Sequence, residues 1–570
     1  MNQTTEKPWA GLYPPEIPSS LSYDEKPLPA FLEKAATAYP DKKALSFKGA
    51  SLTYAELFSQ ANALAWQLIN LGVNKGDRVA IMLPNSPQSV ISYYGVLLAG
   101  ATVVQTNPLY VERELSHQLV DAEAKVIICL DMLYPKVTAV LEDSCLEHVI
   151  VTGIKDYLPF PKNIVYPFIQ KRQYKMKVNV TYGEKVHPFT ALVKTKNQDK
   201  PKVDIDPAAD LALLQYTGGT TGPAKGVMLT HKNLVANTQQ CLSWMYKLNE
   251  GQEKTLAVLP FFHVYGMTVS MNLSIMHASE MVILPRFDAK EVLQTIMKEK
   301  ISILPGAPTI YIGLINHPDI NKYNLSSIKA CISGSASLPV EVQQEFEALT
   351  GGKLVEGYGL TEASPVTHCN LLWGERQESS IGIPWPDTEA KIIKENDQGE
   401  AEMGEVGELA VRGPQVMKGY WKRPEETNAS FHEDWLLTGD MAYRDKHGFF
   451  YIVDRKKEMI IAGGFNIYPR EIEEVLYEHD DVQEAVVIGV PDPYRGETVK
   501  AFVVPKEGET VNEQELNSFC RERLASYKVP RAYEFRKELP KTMVGKVLKR
   551  VLAEEEKAKL TEQKQEEKTS

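Results

Sequence analysis

Residues 216–226, which read YTGGTTGPAKG, have the composition of a phosphate-binding loop. Glycines let backbone N–H groups approach phosphate oxygens, hydroxyls donate hydrogen bonds to them, and a lysine adds a positive charge. This is not a Walker A loop, because Lys225 precedes a glycine and a second β-like run instead of opening a helix. A bare Gly–Thr cluster would be an ordinary surface loop, but the full string between two predicted strands favours phosphate binding. The candidate ligands are Tyr216, Thr217, Gly218, Gly219, Thr220, Thr221, Gly222, Lys225 and Gly226.

Further short motifs follow the phosphate loop along the chain. They read LPFFH at 259–263, SGSA at 333–336, GYGLTE at 357–362, WLLTGD at 435–440, DRKK at 454–457 and PKTMVGK at 540–546. Together with the loop, they resemble the motif series of the ANL superfamily, which comprises acyl- and aryl-CoA synthetases, adenylation domains and luciferases. The resemblance extends from residue 8 to about residue 550. Among the subfamilies, the chain is most similar to the bacterial long-chain fatty acid–CoA ligases.

This resemblance implies an ATP-dependent ligase that joins a long-chain fatty acid to coenzyme A through an acyl-adenylate, releasing AMP and pyrophosphate. ATP and CoA would be co-substrates, and Mg²⁺ the cofactor. The first step brings two anions together, so positioned cations and hydrogen-bond donors would supply most of the catalysis. Three alternatives stay open: a ligase for medium-chain or aryl acids, an acyl-AMP ligase that loads a carrier protein, and a non-catalytic lipid-binding protein.

By the same resemblance, three residues would carry the catalysis. Lys546 would bridge the carboxylate and the α-phosphate; a solvated surface lysine is the alternative. Glu362 would bind Mg²⁺ with the hydroxyl of Thr217, since Mg²⁺ prefers hard oxygen ligands and substrate phosphates, unless Glu362 caps a helix. His263 would border the acyl carboxylate, with a hydrogen-bonded core histidine as the alternative.

Other motif residues would hold the nucleotide. Asp440 can accept hydrogen bonds from both ribose hydroxyls, as an acid does in dinucleotide sites, unless it only forms a turn. Arg455 resembles a second ribose or phosphate contact, with a plain salt bridge as the alternative. Tyr358 would stack on adenine unless it is a core tyrosine. The adenine site would comprise Gly334, Ser335, Ala336, Gly357, Tyr358, Gly359 and Thr361.

Short β-rich runs alternate with helical patterns, which predicts an α/β fold. A helix is predicted over 54–71, because Leu57, Ala61 and Leu64 share one stripe. The predicted strands lie at 79–83, 126–130, 211–215, 255–259, 281–284, 301–304 and 329–332, and in the C-terminal part at 485–489 and 499–504. Two more helices are predicted at 469–478 and 512–524.

The texture of the chain changes near residue 454, where a charged run leads into a Gly-rich one. The predicted divisions are a large N-terminal domain of layered sheets and helices at 1–454, a hinge at 455–457, a small mobile α+β domain at 458–552 and a charged tail at 553–570. By the family resemblance, Lys457 would be the hinge residue, about which the small domain rotates between the two half-reactions. Rotation there would bring Gly463 and Gly464 to the pantetheine arm of CoA, because adjacent glycines suit a backbone that lines a narrow tunnel; an ordinary β-turn is the alternative.

Composition excludes several classes of protein. Of the 570 residues, 43% are hydrophobic and 24% charged, which excludes whole-chain disorder, collagen and coiled coil. Lys and Arg number 63 against 74 Asp and Glu, and the net charge of −11 argues against a nucleic-acid partner. The six cysteines form no CxxC pair, which argues against a disulfide framework or zinc site and fits a reducing compartment. No signal peptide or transmembrane helix is predicted, which indicates a cytoplasmic protein.

The segment 155–203 differs from the rest of the chain, with 11 Lys or Arg residues against 3 Asp or Glu, a net charge of +8. Aromatic residues interleave with these cations. Because long-chain fatty acids partition into bilayers, we interpret the segment as a peripheral contact with the inner face of the cell membrane, worth about 1 kcal/mol per nearby cation. Nucleic-acid binding and a solvated insertion are the alternatives. The family resemblance also implies a homodimer.

Overall fold

The computed structural model describes residues 7–174, 179–194, 199–217, 224–394, 399–462, 465–492, 495–506, 508–509, 511–542 and 547–569. Several predicted site residues lie outside these ranges. They are Gly218, Gly219, Thr220, Thr221, Gly222, Gly463, Gly464 and Lys546.

The chain forms two compact units. The first comprises Met1–Glu389 with Arg412–Asp434, and the second comprises Ala390–Val411 with Trp435–Ser570. The second unit therefore includes strands that precede residue 454. The hinge at 455–457 stays a prediction.

Strands and helices alternate along the chain, which confirms the predicted α/β class. The strands are β1 Lys43–Phe47, β2 Ala50–Thr53, β3 Arg78–Met82, β4 Thr102–Gln105, β5 Ala124–Leu130, β6 His148–Thr152, β7 Val186–Pro188, β8 Leu211–Thr217, β9 Lys225–Thr230, β10 Lys254–Ala257, β11 Glu280–Ile283, β12 Ala330–Ser333, β13 Lys353–Gly359, β14 Val366–Cys369, β15 Ile383–Pro384, β16 Glu389–Ile393, β17 Gly407–Arg412, β18 Gly419–Tyr420, β19 Phe431–His432, β20 Trp435–Arg444, β21 Phe450–Arg455, β22 Ile460–Ala462, β23 Phe465–Ile467, β24 Val482–Asp492, β25 Gly496–Pro505 and β26 Ala532–Phe535. The helices are α1 Pro29–Ala38, α2 Tyr54–Asn70, α3 Pro87–Leu98, α4 Glu112–Ala122, α5 Tyr134–Ala139, α6 Lys162–Tyr174, α7 Phe189–Leu192, α8 His231–Trp244, α9 Val264–Gly266, α10 Leu273–Met276, α11 Ala289–Glu299, α12 Pro308–Ile315, α13 Val340–Thr350, α14 Pro424–Ala429, α15 Pro469–Tyr477, α16 Glu513–Arg523 and α17 Lys549–Thr569.

Helix α2 forms for reasons visible in the sequence. Its first turn has a capping box, in which the Thr53 hydroxyl accepts the Glu56 N–H and the Glu56 carboxylate accepts the Thr53 N–H. Its apolar stripe, which includes Leu57 and Leu64, is fully buried. The helix packs closely on α3, where a Cβ at Gly95 would lie 2.9 Å from the Leu64 side chain.

A long sheet of the first unit has the strand order β18-β9-β8-β4-β3-β5-β6-β7. Strands β8, β4, β3, β5, β6 and β7 run parallel to one another, whereas β9 is antiparallel to β8. Strand β5 is buried along nearly its whole length. Because such strands are buried on both faces, they appear in the sequence as continuous apolar runs, and this made them predictable.

The first unit also contains the strand orders β10-β11-β1-β2 and β12-β13-β14-β15. The strand predicted at 301–304 is wrong as a strand: this segment pairs through Ile303 alone, in isolated bridges with Thr255 and Ala330. Pro305 follows directly and has no N–H with which to extend the ladder. The segment therefore runs between β10 and β12 without forming a full strand.

The second unit contains strands β16, β17, β20 and β21 in one sheet, and the order β23-β22-β25-β24 with β26 on β25 in another. Helix α15 packs on β24 and α16, which confirms the predicted C-terminal helices and strands. The core between them includes Ile472, Leu476, Val487, Ala501 and Leu516, all fully buried.

The predicted charged tail is part of helix α17, which begins at Lys549. Leu552 is fully buried beside Phe502. On the same helix, Glu556 forms a 2.7 Å ion pair with Lys500 of β25. The first turns of α17 are therefore fixed to the C-terminal sheet by both apolar and charged contacts.

All six cysteines are free thiols, and all but Cys145 are buried. In the part of the chain that the structure describes, no helix combines the length and the apolar character needed to cross a bilayer.

Candidate active site

The predicted phosphate loop connects the two strands of a hairpin. Strands β8 and β9 pair antiparallel, with Tyr216 opposite Gly226 and Thr217 opposite Lys225. The two strands that the sequence predicts on either side of the loop are therefore present. The loop itself, residues 218–223, lies outside the described residues.

The side chain of Tyr216 fixes this hairpin to helix α4. Its hydroxyl donates a 2.6 Å hydrogen bond to Oδ2 of Asp121, and burial together with that carboxylate raises the pKa of Tyr216. The ring covers Gly226, where an added Cβ would lie 3.1 Å from it. Asp121 also forms an ion pair with Arg423, in which its Oδ1 lies 3.0 Å from a guanidinium nitrogen. The phenol of Tyr216 thus contacts Asp121 of the protein, and its backbone belongs to strand β8, which leads to the loop.

Glu362 lies beside the same hairpin. It belongs to a single 3-10 turn, Thr361–Ala363, that follows β13. Its Oε1 accepts a 2.8 Å hydrogen bond from the hydroxyl of Tyr420. Tyr420 is opposite Val227 of β9, and the Lys225 ammonium lies 5.0 Å from the centroid of the Tyr420 ring. Tyr420 therefore connects the predicted metal ligand to the predicted phosphate-binding lysine.

Burial, followed by the Glu362 carboxylate, raises the pKa of Tyr420, so its hydroxyl stays protonated and orients the carboxylate. A carboxylate at Glu362 and a hydroxyl at Thr217 are hard oxygen donors and few in number. That donor set fits Mg²⁺, which usually keeps several waters and binds substrate phosphates instead of filling an all-protein site.

The two predicted adenine segments lie side by side. Strands β12 and β13 are parallel neighbours, with Ser333 opposite Glu356, so the segments that leave their carboxyl ends meet at one edge. Gly334 is buried, whereas Ser335 and Ala336 are exposed. A Cβ at Gly334 would lie 2.9 Å from the ring of Tyr265, which explains why this position takes glycine.

Tyr358 and its neighbours lie at the carboxyl end of β13, next to the segment that leaves β12. Tyr358 is half-buried, and its ring packs edge-on against His368 with centroids 6.0 Å apart. Gly359 is exposed and passes so close to Pro365 that a Cβ would lie 2.1 Å from its carbonyl oxygen. Gly357 and Thr361 flank these residues and are half-buried. Tyr358 is thus an edge residue, not a fully buried core tyrosine.

His263 follows a buried segment that two distant amides hold in place. The Asn85 side chain donates a 2.8 Å hydrogen bond to the Leu259 carbonyl and accepts a 2.8 Å hydrogen bond from the Phe261 N–H. Gln215 of β8 donates 2.9 Å to the Phe262 carbonyl. This second contact places the predicted acyl motif next to the strand that leads into the phosphate loop. The imidazole of His263 is half-buried and packs on the Phe262 ring with centroids 4.7 Å apart.

Burial lowers the pKa of His263 to about 4, so the imidazole is neutral at pH 7. Its folded pKa lies below the unfolded value of about 6.5. The unfolded state therefore binds the proton first, and stability falls as pH falls from about 6.5 toward 4. We expect His263→Gln, which cannot titrate, to lose less stability than the wild type over this pH range, as measured by thermal unfolding midpoints. Identical pH dependence of both midpoints would contradict a lowered pKa of His263 in the folded protein.

Asp440 and Arg455 lie opposite each other on strands β20 and β21 of the second unit. Asp440 is 3% exposed, and its Oδ1 lies 3.2 Å from Arg455 Nε. The guanidinium is half-exposed. The salt bridge that the sequence left as an alternative for Arg455 is therefore present, and it orients the carboxylate predicted to bind ribose.

The turn that carries the predicted hinge is held by a glutamate of β17. Glu408 accepts the Gly439 N–H at 3.1 Å and the Lys456 ammonium at 2.8 Å. Lys456 in turn donates its N–H to the Gly439 carbonyl at 2.9 Å. Lys457, the next residue, is exposed in the turn.

Sequence reasoning missed Tyr420, Asn85 and Glu408. Each contacts a motif more than 30 residues away in the chain, and none belongs to a motif of its own. A buried amide such as Asn85 must find hydrogen-bond partners, but the sequence does not say which ones.

A family model described as AMP-binding enzyme matches residues 32–421, and a second, AMP-binding enzyme C-terminal domain, matches residues 471–546. The chain is 57% identical over 553 residues to the long-chain-fatty-acid–CoA ligase of Bacillus subtilis, covering 97% of this chain and 98% of the relative. It is 39% identical over 560 residues to the enzyme of that name from Salmonella typhimurium, covering 97% and 99%. ATP-bound MatB from Rhodopseudomonas palustris has a similar structure, with a TM-score of 0.80 and 29% identity over 93% of this chain and 99% of that one.

Proposed function

We propose that this chain, which belongs to the AMP-binding enzyme family, is an ATP-dependent long-chain fatty acid–CoA ligase. The observation that carries the proposal is the near-full-length similarity to the Bacillus subtilis ligase. Three features of the first unit support the proposal: the hairpin of β8 and β9 around the predicted phosphate loop, the Glu362 carboxylate oriented by Tyr420, and the adjacent ends of β12 and β13.

The reaction has two steps, because a carboxylate is a poor electrophile. A carboxylate oxygen first attacks the α-phosphorus of ATP, and pyrophosphate leaves with the electrons of the broken P–O bond. The thiol of CoA then loses its proton and attacks the acyl carbon, forming the C–S bond while AMP leaves. Both steps gain from donors and cations that are already in position when charge develops.

The first unit would hold the triphosphate. The N–H groups of the predicted phosphate loop and Lys225 would bind phosphate oxygens, while Glu362, oriented by Tyr420, and Thr217 would hold Mg²⁺. When bound there, the metal would supply positive charge that offsets the charge of the phosphates. His263, neutral at pH 7, can donate a hydrogen bond to the acyl carboxylate without adding a charge.

The remaining roles follow the motifs. Adenine lies between the segments that leave β12 and β13, with Tyr358 against the base, and Asp440 accepts hydrogen bonds from the ribose hydroxyls beside Arg455. Lys546 bridges the carboxylate and the α-phosphate during adenylation. The proposed boundaries are a domain at 1–454, a hinge at 455–457 with Lys457 at its centre, a C-terminal domain at 458–552 and a tail at 553–570. By the family resemblance, Gly463 and Gly464, which lie outside the described residues, would border the pantetheine arm of CoA.

Product analysis over a panel of acids tests the substrate class. Purified protein with ATP, Mg²⁺ and CoA is given octanoate, palmitate, oleate or benzoate, and acyl-CoA is measured by mass spectrometry. We expect the highest kcat/KM for the C16 and C18 acids. A higher value for octanoate or benzoate would favour the medium-chain or aryl ligase.

We further propose that helix α6 contacts an anionic membrane from the cytoplasmic side. Its apolar side chains face outward: Phe168 is 73% exposed and Ile164 56%, and Phe160, just before the helix, is 78% exposed. In contrast, its polar Gln170 is buried and donates to Asp131 at 3.4 Å. A surface helix normally buries its apolar face. This reversed arrangement is typical of a helix that lies in a membrane interface.

The charges around this helix select the partner. Lys155, Lys171 and Arg172 are exposed beside the apolar residues, and the surrounding segment 155–203 has a net charge of +8 in a chain of −11. Cations close to an anionic bilayer contribute about 1 kcal/mol each. An anionic lipid surface is therefore the favoured partner of helix α6.

Co-sedimentation with phosphatidylglycerol–phosphatidylcholine vesicles tests this contact. We expect salt-sensitive binding, a reduction of about 30-fold when Lys171 and Arg172 are changed to glutamine, at about 1 kcal/mol each, and a comparable loss for Phe160→Ser with Phe168→Ser. Leu109→Ser, which changes an apolar residue that is 63% exposed elsewhere, is the matched control and should bind like the wild type. No binding, or binding that ignores salt, would contradict the proposal.

A homodimer is the proposed oligomeric state, on the family resemblance alone. Sedimentation velocity distinguishes it from a monomer of 63.9 kDa. Dissociation of the dimer by the Phe160 and Phe168 changes would show that a second copy, and not lipid, covers helix α6.

A further inference from the structure

Lys549 is a largely buried lysine that the mechanism above does not use. It is the first residue of α17, three residues after Lys546 in the chain. Its ammonium lies 2.9 Å from Oε1 of Glu473 and 3.1 Å from Oε2 of Glu458. The side chains of all three residues are at most 20% exposed. Although burial alone would lower it, these carboxylates raise the pKa of Lys549, so it stays charged.

The partners of Lys549 lie on both sides of the proposed hinge. Glu458 directly follows the hinge residues 455–457. Asp454 directly precedes them, is 4% exposed and also attracts the Lys549 ammonium. Its carboxylate accepts the N–H groups of Arg455 at 2.6 Å and of Arg470 at 2.8 Å. Lys549 is thus the positive charge shared by three carboxylates that surround the hinge.

The third carboxylate, that of Glu473, connects Lys549 to helix α15 and strand β24. Glu473, on helix α15, also accepts the Val487 N–H of β24 at 2.8 Å. Lys549 therefore lies between helix α15, the end of strand β21 at Asp454, and the turn at Glu458 that follows the hinge residues. Burial raises the pKa of Asp454 to about 6, although the charge of Lys549 opposes this shift, which agrees with one ammonium serving several carboxylates.

The chain segment that carries Lys546 ends at this cluster. The residues on either side of this segment pair with each other. Lys541 forms an isolated β-bridge with Val547, and the Leu548 N–H donates a 2.8 Å hydrogen bond to the Pro540 carbonyl. These contacts close the base of the segment, and the next residue, Lys549, attaches that base to the flanks of the hinge. A displacement of about 1 Å at a reacting group can lower a rate by about 10²-fold.

We propose that Lys549 is a positioning residue that couples the Lys546 segment to the hinge, so that its ion pairs with Glu458 and Glu473 are required for adenylation but not for thioester formation. This inference rests on the proposed ligase activity and on the role of Lys546 in the first step only. Lys549 is not among the proposed substrate contacts, and removing it is expected to slow adenylation selectively.

The test measures the two half-reactions separately in full-length variants. Adenylation is followed by palmitate-dependent exchange of pyrophosphate into ATP, and thioester formation by the conversion of supplied palmitoyl-AMP and CoA to palmitoyl-CoA. We expect Lys549→Met to lower exchange by 10- to 100-fold and thioester formation by less than threefold, and Lys549→Arg, which keeps the charge, to recover most of the exchange rate. Arg550→Met changes the adjacent residue, whose side chain is 57% exposed, and should leave both rates unchanged.

Removing Lys549 leaves buried carboxylates without their counter-charge, which can unfold the unit. Glu458→Gln keeps the size of the side chain and removes one ion pair, so it provides a milder second variant. We expect a five- to tenfold loss of exchange with thioester formation intact. Exchange within twofold of the wild type in Glu458→Gln, or equal losses in both half-reactions at an unchanged thermal midpoint, would overturn the proposal. A wild-type protein that activates no acid would instead overturn the ligase function itself.

Discussion

Lys546→Ala is expected to lower the rate of adenylation by at least about 10²–10³-fold, which corresponds to about 2.7–4 kcal/mol for the loss of one preorganised donor. The reason is electrostatic: the carboxylate and the α-phosphate are both anions, and the proposed lysine bridges them as they approach. Pyrophosphate exchange measures this step. Thioester formation from supplied acyl-AMP should change far less, since that step no longer brings two anions together.

A surface lysine of the same unit provides the control for this variant. Lys537 is exposed, and Lys537→Ala should retain wild-type rates in both half-reactions. If Lys546→Ala reduced the two half-reactions equally, the selective role in adenylation would be wrong. If it reduced neither, Lys546 would be the solvated surface lysine that the sequence left as the alternative.

Glu362→Gln is expected to lower adenylation by about 10²-fold, or about 2.7 kcal/mol, and to raise the Mg²⁺ concentration that exchange requires. The amide keeps the size of the side chain but loses the negative charge that a hard cation needs. Titration of pyrophosphate exchange with Mg²⁺ separates this effect from a general loss of activity, because a metal-ligand defect is relieved in part by more metal.

Tyr420→Phe is the matched variant for this prediction. It leaves the Glu362 charge in place and removes only the 2.8 Å hydrogen bond that orients it. Removing a residue that hydrogen-bonds to a metal ligand typically lowers metal affinity or activity by about 10- to 100-fold. We therefore expect Tyr420→Phe to lower the rate of pyrophosphate exchange by an amount near the lower end of this range. Wild-type Mg²⁺ dependence in Glu362→Gln would show that Glu362 is not a metal ligand.

Part of the fold was predictable, because strands such as β5 are buried on both faces and helices such as α2 have one apolar face. The run at 126–130 and the stripe along 54–71 correspond to β5 and α2 within two residues at each end. The segment 301–304 shows the limit of this reasoning. Its apolar residues are as buried as those of a strand, but a single bridge position and the following proline prevent a full ladder.

The site was predictable only where one motif carries its own chemistry. The phosphate loop was predicted to lie between two strands, and β8 and β9 are those strands. The pairing of β12 with β13 was not predicted, because the sequence analysis has no strand at 353–359. The hydrogen bond from Tyr216 to Asp121 spans 95 positions in the chain, so sequence patterns do not reveal that this phenol binds the protein. The outward face of α6 was equally hidden, because helical spacing gives two faces without showing which one the rest of the protein covers.

The most direct test of the central claim is the release of AMP by the purified protein with ATP, Mg²⁺ and palmitate, measured with and without CoA. The ligase account predicts AMP release that depends on CoA and matches the palmitoyl-CoA formed. Palmitate-dependent pyrophosphate exchange without CoA turnover would contradict CoA as the acceptor and favour an acyl-AMP ligase that loads a carrier protein. No AMP release and no exchange with any long-chain, short-chain or aromatic acid would contradict the account as a whole.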